Sequence, residues 1–124
     1  MTPDRYDYCK IFVRDAVPDE VEVGLATVLG SPFAFDDLEL ENLRVEVRRN
    51  PDHGDPRITA TDFVVWPVQV ELVATSGDAG PAMVATTTAV LEHLWSAGHD
   101  AIAACDYDDE LPWSGGIRRP TASP

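Results

Sequence analysis

Residues 80–105 read GPAMVATTTAVLEHLWSAGHDAIAAC. Met83, Thr87, Val90, Leu91, Leu94 and Trp95 recur at helical spacing and form one apolar stripe, which Gly98 stops. Ala101 to Cys105, small and apolar throughout, then reads as a short buried strand. An amphipathic helix feeding a buried strand predicts a layered α+β domain with helices on one face of a sheet.

Upstream, Ser76-Gly77-Asp78-Ala79-Gly80-Pro81 is turn punctuation. Residues 63–75 predict a strand with Val64, Trp66, Val68, Val70 and Leu72 on one face. Pro67 inside that run suggests an edge strand or a bulge, because Pro donates no ladder hydrogen bond. The segment from Asn50 to Pro56 is dense in turn residues and forms a loop. Leu43, Val45 and Val47 alternate with Arg44, Glu46 and Arg48, predicting a strand over 43–49. Residues 33–42 fit a short strand or an irregular loop, with Phe35, Leu38 and Leu40 closing the core. Pro18, Asp19 and Glu20 start a helix whose face carries Val21, Leu25, Val28 and Leu29. Gly30 and Pro32 end it, and Gly24 weakens its middle. Cys9, Ile11 and Val13, alternating with Tyr8, Lys10 and Phe12, predict the first strand.

The order strand, helix, strand, strand, helix, strand predicts a ferredoxin-like βαββαβ sandwich: an antiparallel sheet with two helices on one face. Residues 1–112 would form a single α+β domain and residues 113–124 a C-terminal tail. The bare sheet face would carry Tyr8, Lys10, Phe12, Arg44, Glu46, Arg48, Val65, Gln69, Glu71 and Val73. The tail, a second copy in a homodimer, or a partner would cover it.

Charge is the other dominant feature. Twenty-two Asp and Glu against nine Lys and Arg give a formal net charge of -13. Such a chain repels nucleic acid and anionic membranes and attracts basic protein surfaces. The apolar fraction of 44% is ordinary for a folded domain and excludes global disorder. The N-terminus lacks a signal-peptide core, and no apolar run approaches the roughly 18 residues of a membrane span, so a cytoplasmic protein is expected.

Candidate sites follow the acids. Asp106-Tyr107-Asp108-Asp109-Glu110 does not match a calcium-binding loop, since the required Gly and Glu spacing is absent. It reads as a solvated loop or as a face for a basic partner. Trp113, just beyond it, is the type of residue that anchors an interface or pins a tail. Asp36 and Asp37, with Glu39 and Glu41, interleave with apolar residues as a second acidic stretch. His53, His93 and His99 have no metal-ligand spacing, and no cofactor motif is present. Gly115-Gly116 lacks a phosphate-loop context, and Arg118-Arg119 is too small a basic patch for nucleic acid. Cys9 and Cys105 are too few and too far apart for a disulfide framework or a zinc site, so they read as small buried hydrophobes. The acids after Cys105 would raise its pKa.

Two stretches carry a resemblance: Arg48-Arg49-Asn50-Pro51-Asp52, and the run from Cys105 to Pro112, Cys-Asp-Tyr-Asp-Asp-Glu-Leu-Pro. With them, most of the chain resembles a group of small bacterial proteins to whose motifs no chemistry is attached. Some members of such groups resemble immunity proteins of bacterial toxin systems. That resemblance, with the acidity, implies a non-catalytic protein that sequesters a basic partner such as a cognate toxin. Asp106, Asp108, Asp109, Glu110, Trp113, Asp36 and Asp37 are the expected contacts, the carboxylates standing in for phosphates. The alternative is a dimeric ferredoxin-like small-molecule binder or simple enzyme, with Tyr8, Arg44, Arg48 and Trp66 around a pocket on the open sheet face.

Overall fold

The computed structural model describes residues 5–58 and 62–120. The expectations for the first four residues, for 59–61 in the loop and for 121–124 in the tail lie outside them.

The sheet is built from β1 (Tyr8–Val13), β2 (Asp37–Glu39), β3 (Leu43–Arg49), β4 (Val68–Ala74) and β5 (Ala101–Ala104). Its order is β2-β3-β4-β1-β5, and every paired neighbour is antiparallel. Two helices, α1 (Pro18–Leu29) and α2 (Gly80–Ser96), complete a mixed α+β domain. Because α1 packs on β3, α2 on β4 and β5, and the helices on each other, they share one face of the sheet.

The five-strand order is not the four-strand order of the predicted ferredoxin-like sandwich. The difference is β2, which lies in the segment that fitted either a strand or a loop. Leu38 is fully buried opposite Val45, and that burial holds the short strand on the edge of β3.

Alternation explains the core. Cys9, Ile11 and Val13 of β1, Leu43, Val45 and Val47 of β3, and Val68, Val70 and Leu72 of β4 all bury toward the helices. Met83, Thr87, Val90, Leu91 and Leu94 of α2 meet them, with Val21 and Leu25 of α1. Gly24 has a packing reason: a Cβ there would collide with the His93 ring of α2, so the glycine lets the two helices approach. Val28 is exposed, off the face assigned to it.

The predicted strand at 63–75 begins only at Val68. Phe63–Val65 is instead a 3₁₀ turn, capped where Asp62 Oδ1 accepts the Val64 N–H at 3.2 Å. Asn50 explains why the strand cannot extend further back. Its buried Nδ2 donates to the carbonyls of Val64 and Trp66, both at 2.8 Å, and its Oδ1 accepts the Asp52 N–H at 2.9 Å. Pro67 therefore sits just before a central strand, neither on an edge strand nor in a bulge. Trp66 leaves the core face, stacking edge-on against Phe63, which packs on Phe12 across the sheet's other face. Residues 62–67 thus cover part of the face without helices. Phe12 and Gln69 are buried there at 7% and 6% exposure.

Candidate functional site

The acidic run follows β5. Tyr107 turns inward, fully buried, within 2.8 Å of the Thr87 hydroxyl and tilted against Tyr6. Its burial fixes Asp108–Glu110 as a 3₁₀ turn on the surface. Asp106, Asp108, Asp109 and Glu110 are all exposed. They are not equally available. Arg5 reaches Asp109 at 2.7 Å and Glu110 at 3.3 Å and donates to the Asp106 carbonyl at 3.0 Å. The Tyr6 hydroxyl donates to Glu110 at 2.6 Å, and that bond to a carboxylate raises the Tyr6 pKa.

Trp113 joins this group. Residues 113–116 all have positive φ, from 52° at Ser114 to 102° at Gly116, and make a left-handed turn. Gly115 and Gly116 permit it and also let the chain lie on β5. A Cβ on Gly116 would strike the Ala101 carbonyl oxygen, and one on Gly115 would sit 3.0 Å from that of Ala103. The turn packs against an edge strand of the sheet and presents Trp113 at 54% exposure. The glycine pair, which no ligand motif explained, is there for close approach of two backbones.

Asp36 and Asp37 lie elsewhere. They belong to a two-residue hairpin turn in which Ala34 and Asp37 exchange backbone hydrogen bonds of 2.7 and 3.1 Å. Phe35 at φ 54° and Asp36 at φ 71° occupy its left-handed positions. Such turns favour Asn-Gly, and each non-glycine residue held there costs roughly 1 kcal/mol. Phe35 does not close the core as predicted: it is 100% exposed at the turn's tip. Beside this turn runs an open groove of about 360 Å³ lined by Asp19, Glu22, Val23, Ala26, Pro32 and Phe33. Partial burial, then the neighbouring carboxylates of Asp36 and Asp19, push the Glu22 pKa above its ordinary range.

β2 and β5 are the two edges of the sheet, so the two acidic stretches do not form one surface. Four strand spacings, about 19 Å, separate them. They also differ in neutralisation. Seven of the nine basic residues form ion pairs, and their partners among the described residues are Asp15, Glu46, Asp55, Glu71, Asp100, Asp109 and Glu110. Asp19, Glu22, Asp36 and Asp37 are not among them. Sequence reasoning missed Asp19, Glu22 and Val23, although Asp19, Glu22, Val23 and Ala26 share a helix face at i, i+3, i+4 and i+7.

The open sheet face is satisfied internally. Glu46 bonds Arg48 at 2.6 Å and Arg44 at 3.3 Å, and Glu71 lies 3.7 Å from Arg48 and 4.0 Å from Lys10. Burial, followed by the Glu71 carboxylate, raises the Tyr8 pKa. His53 Nδ1 meets the Val65 carbonyl at 3.0 Å, and His99 Nδ1 meets that of Arg14 at 3.1 Å. Among the described residues no group of His, Cys, Asp and Glu could hold a metal ion, and no helix is long and apolar enough to cross a membrane.

The cysteines depart from the sequence reading. Cys9 and Cys105, distant in the chain, are brought near each other, and each shifts the other's titration. The neighbouring Cys9 thiol, with the Tyr107 backbone, lowers the Cys105 pKa despite its partial burial and the acids Asp108 and Asp106. Compared with family models, curated proteins and solved structures, the chain matches none.

Proposed function

We propose that this chain is a non-catalytic acidic module that sequesters a basic protein partner, as an immunity protein does its toxin. The observation that carries the reading is the α1–β2 edge. Three carboxylates that pair with no cation among the described residues flank an apolar groove, and a fully exposed aromatic side chain stands on strained backbone beside it. Strain of this kind persists where function requires it. An exposed aromatic beside a groove has the character of a binding hot spot. Asp106, Asp108 and Trp113 on the opposite edge form a second, weaker contact in this reading, because Arg5 already engages their neighbours. On the fold, we read β1, α1, β3, β4, α2 and β5 as a ferredoxin-like sandwich to which β2 is appended.

The test is affinity capture from lysate of the source cell, with the wild type and an Asp19→Asn/Glu22→Gln/Asp36→Asn variant run in parallel. A stoichiometric basic protein retained by the wild type, released by salt and lost with the variant is the expected result. Equal retention by both proteins would refute the assignment.

A further inference from the structure

Cys9 and Cys105 are the two cysteines of the chain. β1 and β5 pair with Lys10 opposite Ala104 and Ile11 opposite Ala103. The same register, continued one residue past the end of β5, would set Cys9 opposite Cys105. Residues directly opposite on antiparallel strands have Cα atoms about 4.5–5.5 Å apart, within the span of a disulfide. The two thiols are neighbours, and their accessibility differs. Cys9 is fully buried near the Tyr107 and Thr87 hydroxyls, whereas Cys105 is only partly buried.

We propose that Cys9 and Cys105 are a reactive dithiol, with Cys105 attacking and Cys9 resolving, whose co-substrate is a low-molecular-weight disulfide such as glutathione disulfide. The Cys105 thiolate attacks one sulfur of glutathione disulfide and expels one glutathione thiolate, leaving a mixed disulfide on Cys105. Cys9 then gives up its proton and attacks Cys105 Sγ, expelling the second glutathione. One protein dithiol is oxidised and one small disulfide is reduced to two thiols, so hydrogen and electrons balance. Accessibility selects Cys105 as the attacking group. An accessible cysteine beside a resolving one is the arrangement that redox-responsive sites use. Tyr107 and the nearby acids Asp106 and Asp108 are the other groups facing this sulfur. The proposal is independent of the partner-binding reading.

The experiment equilibrates the full chain in glutathione buffers of stepped redox ratio, traps free thiols by alkylation and weighs the products. The wild type is expected to pass from two alkylated thiols to none, losing the mass of two hydrogens with no lasting adduct. The Cys9→Ser variant is expected to accumulate one glutathione on Cys105, and Cys105→Ser to remain unmodified. The wild-type titration needs no variant to fold. Two free thiols persisting in the most oxidising buffer, or a Cys105→Ser variant modified as fast as Cys9→Ser, would overturn the proposal.

Discussion

The two edges of the sheet are both acidic and both carry an exposed aromatic residue, yet they are built differently. At the β5 edge, Tyr107 is locked in the core, Arg5 neutralises Asp109 and Glu110, and Gly115 and Gly116 seat Trp113's turn on the strand. At the β2 edge, Glu22 faces Asp36 and Asp19 with no cation among the described residues, and Phe35 projects from a strained turn into solvent. Counting acids does not distinguish these edges. What distinguishes them is whether the molecule satisfies its own charge, and an unsatisfied edge is the one that gains from a basic partner.

The largest expected effect breaks the β5 edge alone. Gly116→Ala forces a left-handed alanine into the Ala101 carbonyl and is expected to cost about 3 kcal/mol in urea unfolding. The β2 edge should keep its partner as long as the variant stays folded. A stability close to wild type would mean that the turn does not rest on β5.

The next effect separates stability from binding at the other edge. Replacing Phe35 and Asp36 together by Asn and Gly suits the left-handed turn and should stabilise the free protein by roughly 1–2 kcal/mol. The same change removes the aromatic tip and should weaken partner binding about 30-fold. Stabilisation with undiminished affinity would remove Phe35 from the interface.

A smaller effect appears in pH dependence. The folded-state pKa of Glu22 is raised above its ordinary 4.5, so protonated Glu22 favours the fold. That contribution is fully present below pH 4.5 and is lost as pH rises through the elevated value. Glu22→Gln should therefore flatten the stability profile on the alkaline side of 4.5 and raise stability at neutral pH. Urea melts at stepped pH give the answer, and an unchanged profile would deny the crowding of carboxylates there. Arg5→Ala should have the smallest effect on stability, because exposed ion pairs contribute little. It should still make binding at the β5 edge more salt-sensitive, by freeing Asp109 and Glu110. Identical salt dependence would show that Arg5 does not decide the contrast.

Much of the frame was legible. The alternation at 43–49, the stripe from Met83 to Leu94 and the Pro18-Asp19-Glu20 start describe β3, α2 and the beginning of α1 as observed. What was not legible depended on partners remote in sequence. Val64 and Trp66 alternate like strand residues, but Asn50 takes both carbonyls and leaves only a 3₁₀ turn at 63–65. Phe35 looks like a core residue until the bonds between Ala34 and Asp37 place it at a turn tip. The approach of Cys9 to Cys105 and the reach of Arg5 to Asp109 both follow from long-range placement, which local periodicity does not encode. The candidate site was half legible: its acids were visible, but their division between two edges was not.

If the proposed partner exists, the unneutralised β2 edge should hold it more than the acidic run after β5. The most direct measurement is calorimetric titration of the captured partner against two folded variants, Asp19→Asn/Glu22→Gln/Asp36→Asn and Asp106→Asn/Asp108→Asn. The account predicts a loss of about 30-fold or more for the first and a change of a few-fold for the second. A large loss confined to the second variant would contradict it and return the interface to the β5 edge.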